Sequence, residues 1–206
     1  MVIERILAGM IGTNCYLIWD ESTLEAAVID PAQDLPEISD TILREKLILK
    51  YILLTHGHGD HIGGVEAIMD QNPDTKLVAG KAESTLLTDS RLNISREITG
   101  RSIVLHPDIF VSQGDTLFLG EQKLEIIETP GHTPGGISIL AGEALFSGDT
   151  LFRTSIGRTD LPLGSYEDLM DSIREKLYVL PDDTLVFPGH MDETTIGFEK
   201  KHNPFV

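Results

Sequence analysis

The stretch from Tyr51 to Gly64, Y-I-L-L-T-H-G-H-G-D-H-I-G-G, constrains this chain more than any other: a short apolar run breaks into three histidines and an aspartate within six residues. Chance placement of H-x-H-x-D-H at any one position comes to about 3 in a million for a chain with 7 histidines in 206 residues. Imidazoles and a carboxylate packed this densely are costly to bury without partners, and the partner that uses all of them is a divalent metal. Four neighbouring side chains do not complete such a site. Distant segments must arrive beside them, so the fold has to bring several strand ends to one edge.

Three later places repeat the logic of an apolar strand, then glycine, then a metal-capable side chain: L-E-I-I-E-T-P-G-H ending at His132, A-L-F-S-G-D at Asp149 and T-L-V-F-P-G-H at His190. A glycine just ahead of a ligand permits positive φ or close backbone approach, which lets a loop turn sharply and aim the next side chain inward. Strands that deliver polar residues from one end build a site at the carboxyl edge of a sheet. Pooled, these positions offer five imidazoles and two carboxylates, too many for one tetrahedral ion and suited to two. A carboxylate can bridge two metals, so Asp149 can join one ion held by His56, His58 and His132 to another held by Asp60, His61 and His190, with a shared water completing both shells. His106 and His202 lack the glycine context and read as surface or loop residues.

The rest of the chain reads as one α/β domain over residues 1–206, with 41% hydrophobic content and no linker, repeat or low-complexity tract. Alternating or apolar runs predict strands over 2–8, 13–19, 24–30, 51–54, 76–79, 109–112, 116–119, 123–128, 136–140, 144–147 and 184–187. Helical spacing predicts helices over 35–47, 62–69, 82–87, 165–177, opened by a Ser165-x-x-Asp168 capping signal, and 194–201. Asp30, which ends the third strand before Pro31, reads equally as a turn residue and as a holder of a neighbouring loop. Between Thr88 and Pro107 the pattern fades into a polar, arginine-bearing loop or lid.

Composition narrows the function classes. The formal charge of −17 opposes nucleic acid as a partner, although Arg91, Arg96 and Arg101, with Arg153 and Arg158, leave a small anionic substrate in view. No apolar stretch reaches the roughly 18 residues of a membrane span and no secretory leader opens the chain, so a cytoplasmic location is expected. The single cysteine, Cys15, sits in an alternating strand and is expected to be a buried structural thiol rather than a nucleophile.

T-H-G-H-G-D-H, T-P-G-H-T, F-S-G-D-T-L-F and P-G-H, in this order, resemble the metallo-β-lactamase superfamily over nearly the whole chain. The resemblance implies an α/β (αββα) four-layer sandwich: two mixed β-sheets face to face, helices outside, and metals at one edge. Within the superfamily, S-G-D-T-L-F, G-R-T-D at 157–160 and the ending T-T-I-G-F-E-K-K-H-N-P-F are similar to short bacterial glyoxalase II-like (hydroxyacylglutathione hydrolase-like) hydrolases. An aspartate rather than a cysteine at 149 points away from the best-known β-lactamase subclass. Arg158 matches a position where the family places a basic substrate-binding residue, and a surface salt bridge is the competing reading. Full-length hydroxyacylglutathione hydrolases carry a helical carboxy-terminal domain that helps bind glutathione; only 16 residues follow His190, so that domain is expected to be absent.

The expected chemistry is hydrolysis of a thioester at two divalent ions, zinc first, with iron or manganese as alternatives. The ions acidify a shared water, the hydroxide attacks the carbonyl, and a metal stabilises the oxyanion. Asp60 orients the hydroxide. A thiolate, whose conjugate acid has a pKa of about 8.5, leaves with little protonation, which suits a chain with no separate general acid in view. Persulfide dioxygenases are also similar to this chain, G-R-T-D included, and imply one Fe(II) on His56, His132 and Asp149. Lactonase and β-lactamase activity, and a non-enzymatic metal-binding module, are further alternatives.

Overall fold

The computed structural model describes residues 1–9 and 11–206. Its first half runs β1 (Val2–Ala8), β2 (Thr13–Trp19), β3 (Glu25–Ile29), α1 (Pro36–Glu45), β4 (Ile48–Leu54), α2 (Gly59–Ile62), α3 (Val65–Gln71), β5 (Lys76–Gly80), α4 (Ser84–Leu87), α5 (Ser95–Thr99) and β6 (Ile109–Val111). The second half runs β7 (Thr116–Leu119), β8 (Gln122–Glu128), β9 (Ile137–Ala141), β10 (Ala144–Gly148), β11 (Leu151–Phe152), β12 (Ser155–Ile156), α6 (Tyr166–Asp171), β13 (Leu185–Pro188), β14 (Thr194–Thr195) and α7 (Ile196–His202).

Strands β1 to β6 form one six-stranded sheet in chain order, antiparallel from β1 to β3 and parallel from β3 to β6. The second sheet has the order β14-β13-β10-β9-β8-β7, with β10 and β13 parallel and the other pairs antiparallel. Both sheets are therefore mixed, as the family resemblance implies. Side-chain alternation sorts the core into three layers. Leu17, Ile52 and Leu54 point outward onto Ile38 and Ile42 of α1 and Val65 and Ile68 of α3. Ile18, Leu53 and Val78 point inward onto Leu124, Ile126 and Phe146 of the second sheet. On its far face Ile127, Leu145 and Val186 meet Leu169, Ile173 and Ile196. Four layers follow from those three interfaces, and Cys15 lies fully buried under the first helical layer.

Differences from the sequence reading have local causes. The helix expected over 62–69 is broken at Gly63 and Gly64, where the Gly64 N–H donates to the Pro31 carbonyl at 2.7 Å and a Cβ at either would strike the backbone carbonyl of Ala32 or Gln33. The helix expected over 165–177 is capped at Ser165, whose Oγ accepts from the Asp168 N–H, and turns π-helical after α6, over Ser172–Leu177. Ser172 donates to the Pro130 carbonyl and Lys176 to the Glu128 carbonyl, 2.7 Å each, which pins the loop ahead of His132. The segment from Thr88 to Pro107 contains α5, and a two-stranded hairpin, β11–β12, follows Asp149; its two-residue strands are too short to show a period. Among the described residues no helix is long and apolar enough to cross a membrane.

Candidate metal centre

The carboxyl ends of β3, β4, β8, β10 and β13 meet along one edge. Two backbone bonds close it: Ile137 N donates to the Thr55 carbonyl at 2.8 Å, and Asn14 N to the Gly189 carbonyl at 2.7 Å. His56 and His58 follow β4, Asp60 and His61 ride on the single turn of α2, and His132, Asp149 and His190 follow β8, β10 and β13. His56, His58 and His132 bring one donor atom each within 4.8 Å of one another, and so do Asp60, His61 and His190. Asp149 stands between the groups, with Oδ2 3.6 Å from His132 Nε2 and 3.5 Å from His190 Nε2, and Oδ1 3.4 Å from His61 Nε2. All seven residues pooled from the H-x-H-x-D-H run and the three later strand-glycine-ligand sites thus converge, whereas His106 and His202 are exposed elsewhere.

Hydrogen bonds behind the rings decide which nitrogen faces the centre. His132 Nδ1 donates to the Arg158 carbonyl at 2.7 Å and His190 Nδ1 to the Gly12 carbonyl at 3.3 Å, so each turns Nε2 inward. Thr55 Oγ1 gives its proton to Asp30 Oδ2 at 2.5 Å and so accepts from His56 Nδ1 at 3.1 Å. His61 Nδ1 donates to the same Asp30 oxygen at 2.9 Å. His58 instead brings Nδ1 within 2.9 Å of His132 Nε2, a contact that either an Nδ1 proton donated to His132 or a cation held by both nitrogens satisfies. His56 Nε2, His58 Nε2, His61 Nε2 and Asp149 Oδ1 are buried with no hydrogen-bond partner. Orphaned ligand atoms of this chemistry, clustered at one sheet edge, suit divalent ions.

Asp30, His56 and His61 also lie within ligand reach of one another. Asp30, however, accepts from Thr55 N at 2.8 Å as well as from the Thr55 hydroxyl and His61, so the oxygen nearest His61 is already taken by two donors. Of its two sequence readings, holder of the neighbouring loop is the one observed. It takes a left-handed φ of 50° to do so.

The electrostatics leave His56 and His58 neutral, ready to ligate, and His61 protonated. Burial pushes the His56 imidazole far down, and burial with the neighbouring His132 lowers His58 to about 3, leaving both neutral at pH 7. Burial also pushes His61 down, but the carboxylates of Asp60, Asp149 and Asp30 overcome it and lift the ring to about 10. Burial raises the Asp60 carboxyl, and His61 and His190 outweigh that, holding it well below the usual carboxylate range.

Glycine serves both expected purposes. Gly131, before His132, has φ 135° and packs so closely on Leu169 that no Cβ fits. Gly189, before His190, has ordinary φ, but a Cβ there would land on Asp149 Oδ1.

Glu83 carries a role that the sequence did not announce. Fully buried, it accepts from Gly57 N with Oε1 and from Gly135 N with Oε2, both at 2.8 Å, so one carboxylate ties the His56–His58 loop to the loop after His132. Burial pushes its carboxyl up, against the two N–H groups that favour the ionised form. The only signal was spacing: three and four residues before Leu86 and Leu87, it falls on the buried face of the expected helix. Arg158 makes the surface salt bridge that was its competing reading, and its backbone is used as well. Its carbonyl holds His132, while its exposed guanidinium makes two 2.7 Å bonds to Asp160.

Comparison with known proteins places this geometry. The sequence profile of the metallo-beta-lactamase superfamily matches residues 8–190. The chain is 39% identical to hydroxyacylglutathione hydrolase GloC of Haemophilus influenzae, covering all of this chain and 98% of that one. The structure of BLEG-1 B3 metallo-beta-lactamase superposes with a TM-score of 0.91 at 39% identity, covering 99% of both chains. That of TTHA1623 in a di-iron-bound form superposes with a TM-score of 0.86 at 30% identity, covering 98% of this chain and 100% of that one. Strand ends, histidine-aspartate clusters and these likenesses lead to one conclusion: the chain belongs to the metallo-beta-lactamase superfamily.

Proposed function

We propose that this metal-dependent hydrolase cleaves a thioester at a pair of divalent ions, zinc first and iron or manganese as alternatives. His56, His58 and His132 would hold one ion, Asp60, His61 and His190 the other, and Asp149 would bridge them. The observation that carries this reading is the position of Asp149, within 3.6 Å of an imidazole from each group. The di-iron form of TTHA1623 supports the count, and the name of the GloC relative supports the thioester.

Two bound ions supply an acidified water and a Lewis acid for the carbonyl oxygen. The chain supplies position and proton control. Asp60 Oδ2 takes a 3.3 Å hydrogen bond from Thr13 Oγ1 and lies 3.2 Å from His190 Nε2, which fixes the carboxylate in its ionised form beside the cavity, able to accept a hydrogen bond from the attacking water and aim it. Beyond the proposed ligands, no described residue lining the cavity carries a carboxyl, imidazole or phenol. A leaving group that departs without a proton donor, a thiolate, fits that lining better than an alkoxide or amide nitrogen.

Metal analysis of protein purified without added zinc, with parallel assays on a hydroxyacyl thioester and a persulfide, tests this reading. Two metals per chain and thioester cleavage, both lost in His58→Ala and Asp149→Ala, are expected. One iron per chain with oxygen consumption on the persulfide would replace it with the dioxygenase reading. The BLEG-1 likeness adds a β-lactam to the assay. Inactivity on thioesters, esters, lactones, β-lactams and persulfides alike would leave a metal-binding module.

A further inference from the structure

The centre opens into a cavity of about 590 Å³ whose walls are mostly hydrocarbon. Ile94 and Ile98 come from the segment after α4, Phe152, Ile156 and Leu161 from the stretch after Asp149, and Met191 from beside His190. Two of these residues hold conformations that their side chains disfavour. Ile94, which is β-branched, has φ 49°, and Met191 has φ 69°. Glycine would sit at both without strain, yet each position presents a large apolar group to the cavity. The arginine-bearing segment behaves the same way: Arg91 turns out to Asp89 at 2.6 Å, and the isoleucines turn in.

Charge is scarce on these walls. Beyond the proposed ligands, Arg158 is the one cationic side chain among the described lining residues, and Nε and Nη2 of its guanidinium are on Asp160. A side groove of about 250 Å³ runs from Asp60 past Ile98 to Arg101, but Asp34 lines it too, and Arg101 donates to the Gly63 carbonyl at 3.0 Å. A glutathione thioester brings two carboxylates, and this lining has no unpaired cation cluster to receive them.

We infer that the substrate is a thioester with an aliphatic or aromatic acyl group, uncharged on both sides of the sulfur, seated against Ile94, Ile98, Phe152, Ile156, Leu161 and Met191. This rests on the thioester reading above and adds the acyl and thiol classes to it. Burial of each further methylene then raises affinity about fourfold until the cavity is full.

The test uses metal-loaded protein and two series. Thioethers, which cannot be cleaved, report binding: S-ethyl-, S-butyl- and S-hexyl-N-acetylcysteamine against S-hexylglutathione, by calorimetry. Acetyl, butanoyl and hexanoyl thioesters of N-acetylcysteamine, and a hydroxyacyl thioester of glutathione, report kcat/KM. Affinity and kcat/KM should rise about fourfold per methylene, the glutathione compounds should gain nothing over their neutral counterparts, and Ile98→Ser and Ile156→Ser, on separate elements, should each flatten the slope. A flat chain-length dependence, or a tenfold preference for glutathione that Arg101→Ala or Arg158→Ala removes, overturns the inference. A steep slope in the thioethers with no thioester cleaved overturns the thioester reading and leaves the apolar pocket standing; cleavage without a slope does the reverse.

Discussion

Asp30 Oδ2 lies 2.9 Å from His61 Nδ1 while also taking the Thr55 hydroxyl proton, so one carboxylate oxygen on the end of β3 sets the rotation of an imidazole on α2. His61 is fully buried, and with Nδ1 committed only Nε2 can reach Asp60 and Asp149. Asp30 therefore acts on the centre through His61 and through the threonine that orients His56.

Asp30→Ala should weaken both metal retention and the fold. Loss of a carboxylate behind a ligating histidine costs about 10–100-fold in metal affinity, while the stranded Thr55 and His61 donors cost about 1–3 kcal/mol each. Chelator competition beside denaturant unfolding separates the two effects, and unchanged metal retention in a folded variant would show that His61 needs no such support.

Glu83→Gln is nearly isosteric and should nonetheless fail. The amide oxygen can accept from Gly57 N or from Gly135 N, but its NH₂ then faces the other backbone N–H, donor to donor. A loss of about 1–3 kcal/mol in denaturant unfolding is expected, with faster release of metal to a chelator as the two loops separate. A Gln variant as stable and as retentive as the parent would mean that the bridge contributes nothing.

The metal-free chain should be most stable near pH 6.5 as far as its imidazoles govern it. Above pH 6.5 the unfolded chain has released the proton that folded His61 keeps up to about 10, so stability falls as pH rises. Below pH 6.5 the unfolded chain binds a proton that folded His58 refuses down to about 3, so stability falls as pH drops. Because His61 must shed its Nε2 proton before that atom can ligate, loading metal at pH 7–8 should release about one proton per chain from this ring. Calorimetry of zinc binding in buffers of different ionisation enthalpy reads that number directly, and zero release would contradict the assigned proton.

How much of this was legible in advance depended on whether a residue's partner lay in its own segment. The H-x-H-x-D-H run and the glycines before His132, Asp149 and His190 carry their signal locally, and the sheets follow from patterns of period two and continuous apolar runs. Glu83 bonds to the backbone of Gly57 and Gly135, and a backbone N–H has no signature in sequence. Ile94 and Ile98 were hidden in a segment whose arginines set its apparent character, because which side chains turn inward depends on α5 packing against α2. There Gly59 N donates to the Asn93 carbonyl at 2.9 Å, and Asn93 in turn holds Ile103. Asp30 was half legible: its proline neighbour marked the turn, and the bond to His61 needed the fold.

Gly189→Ala should separate the centre from the scaffold. The backbone at 189 is pinned to both sheets, donating to the Gly148 carbonyl at 2.9 Å and accepting from Asn14 N at 2.7 Å, so it cannot retreat. A new Cβ would land on Asp149 Oδ1 and 2.8 Å from His61 Cε1, so those two side chains must move instead. The fold should survive with a loss of about 1–3 kcal/mol, while the metal count drops and turnover falls about 100-fold or more, since a bridging carboxylate displaced by an ångström no longer reaches both donor groups. Gly142→Ala is the matching control: its φ of 61° strains an alanine by about 1–2 kcal/mol, but a Cβ there meets open space. With similar stability losses, only the substitution at 189 should empty the centre, and a Gly189→Ala protein with full metal and full turnover would show that Asp149 does not occupy the bridging position.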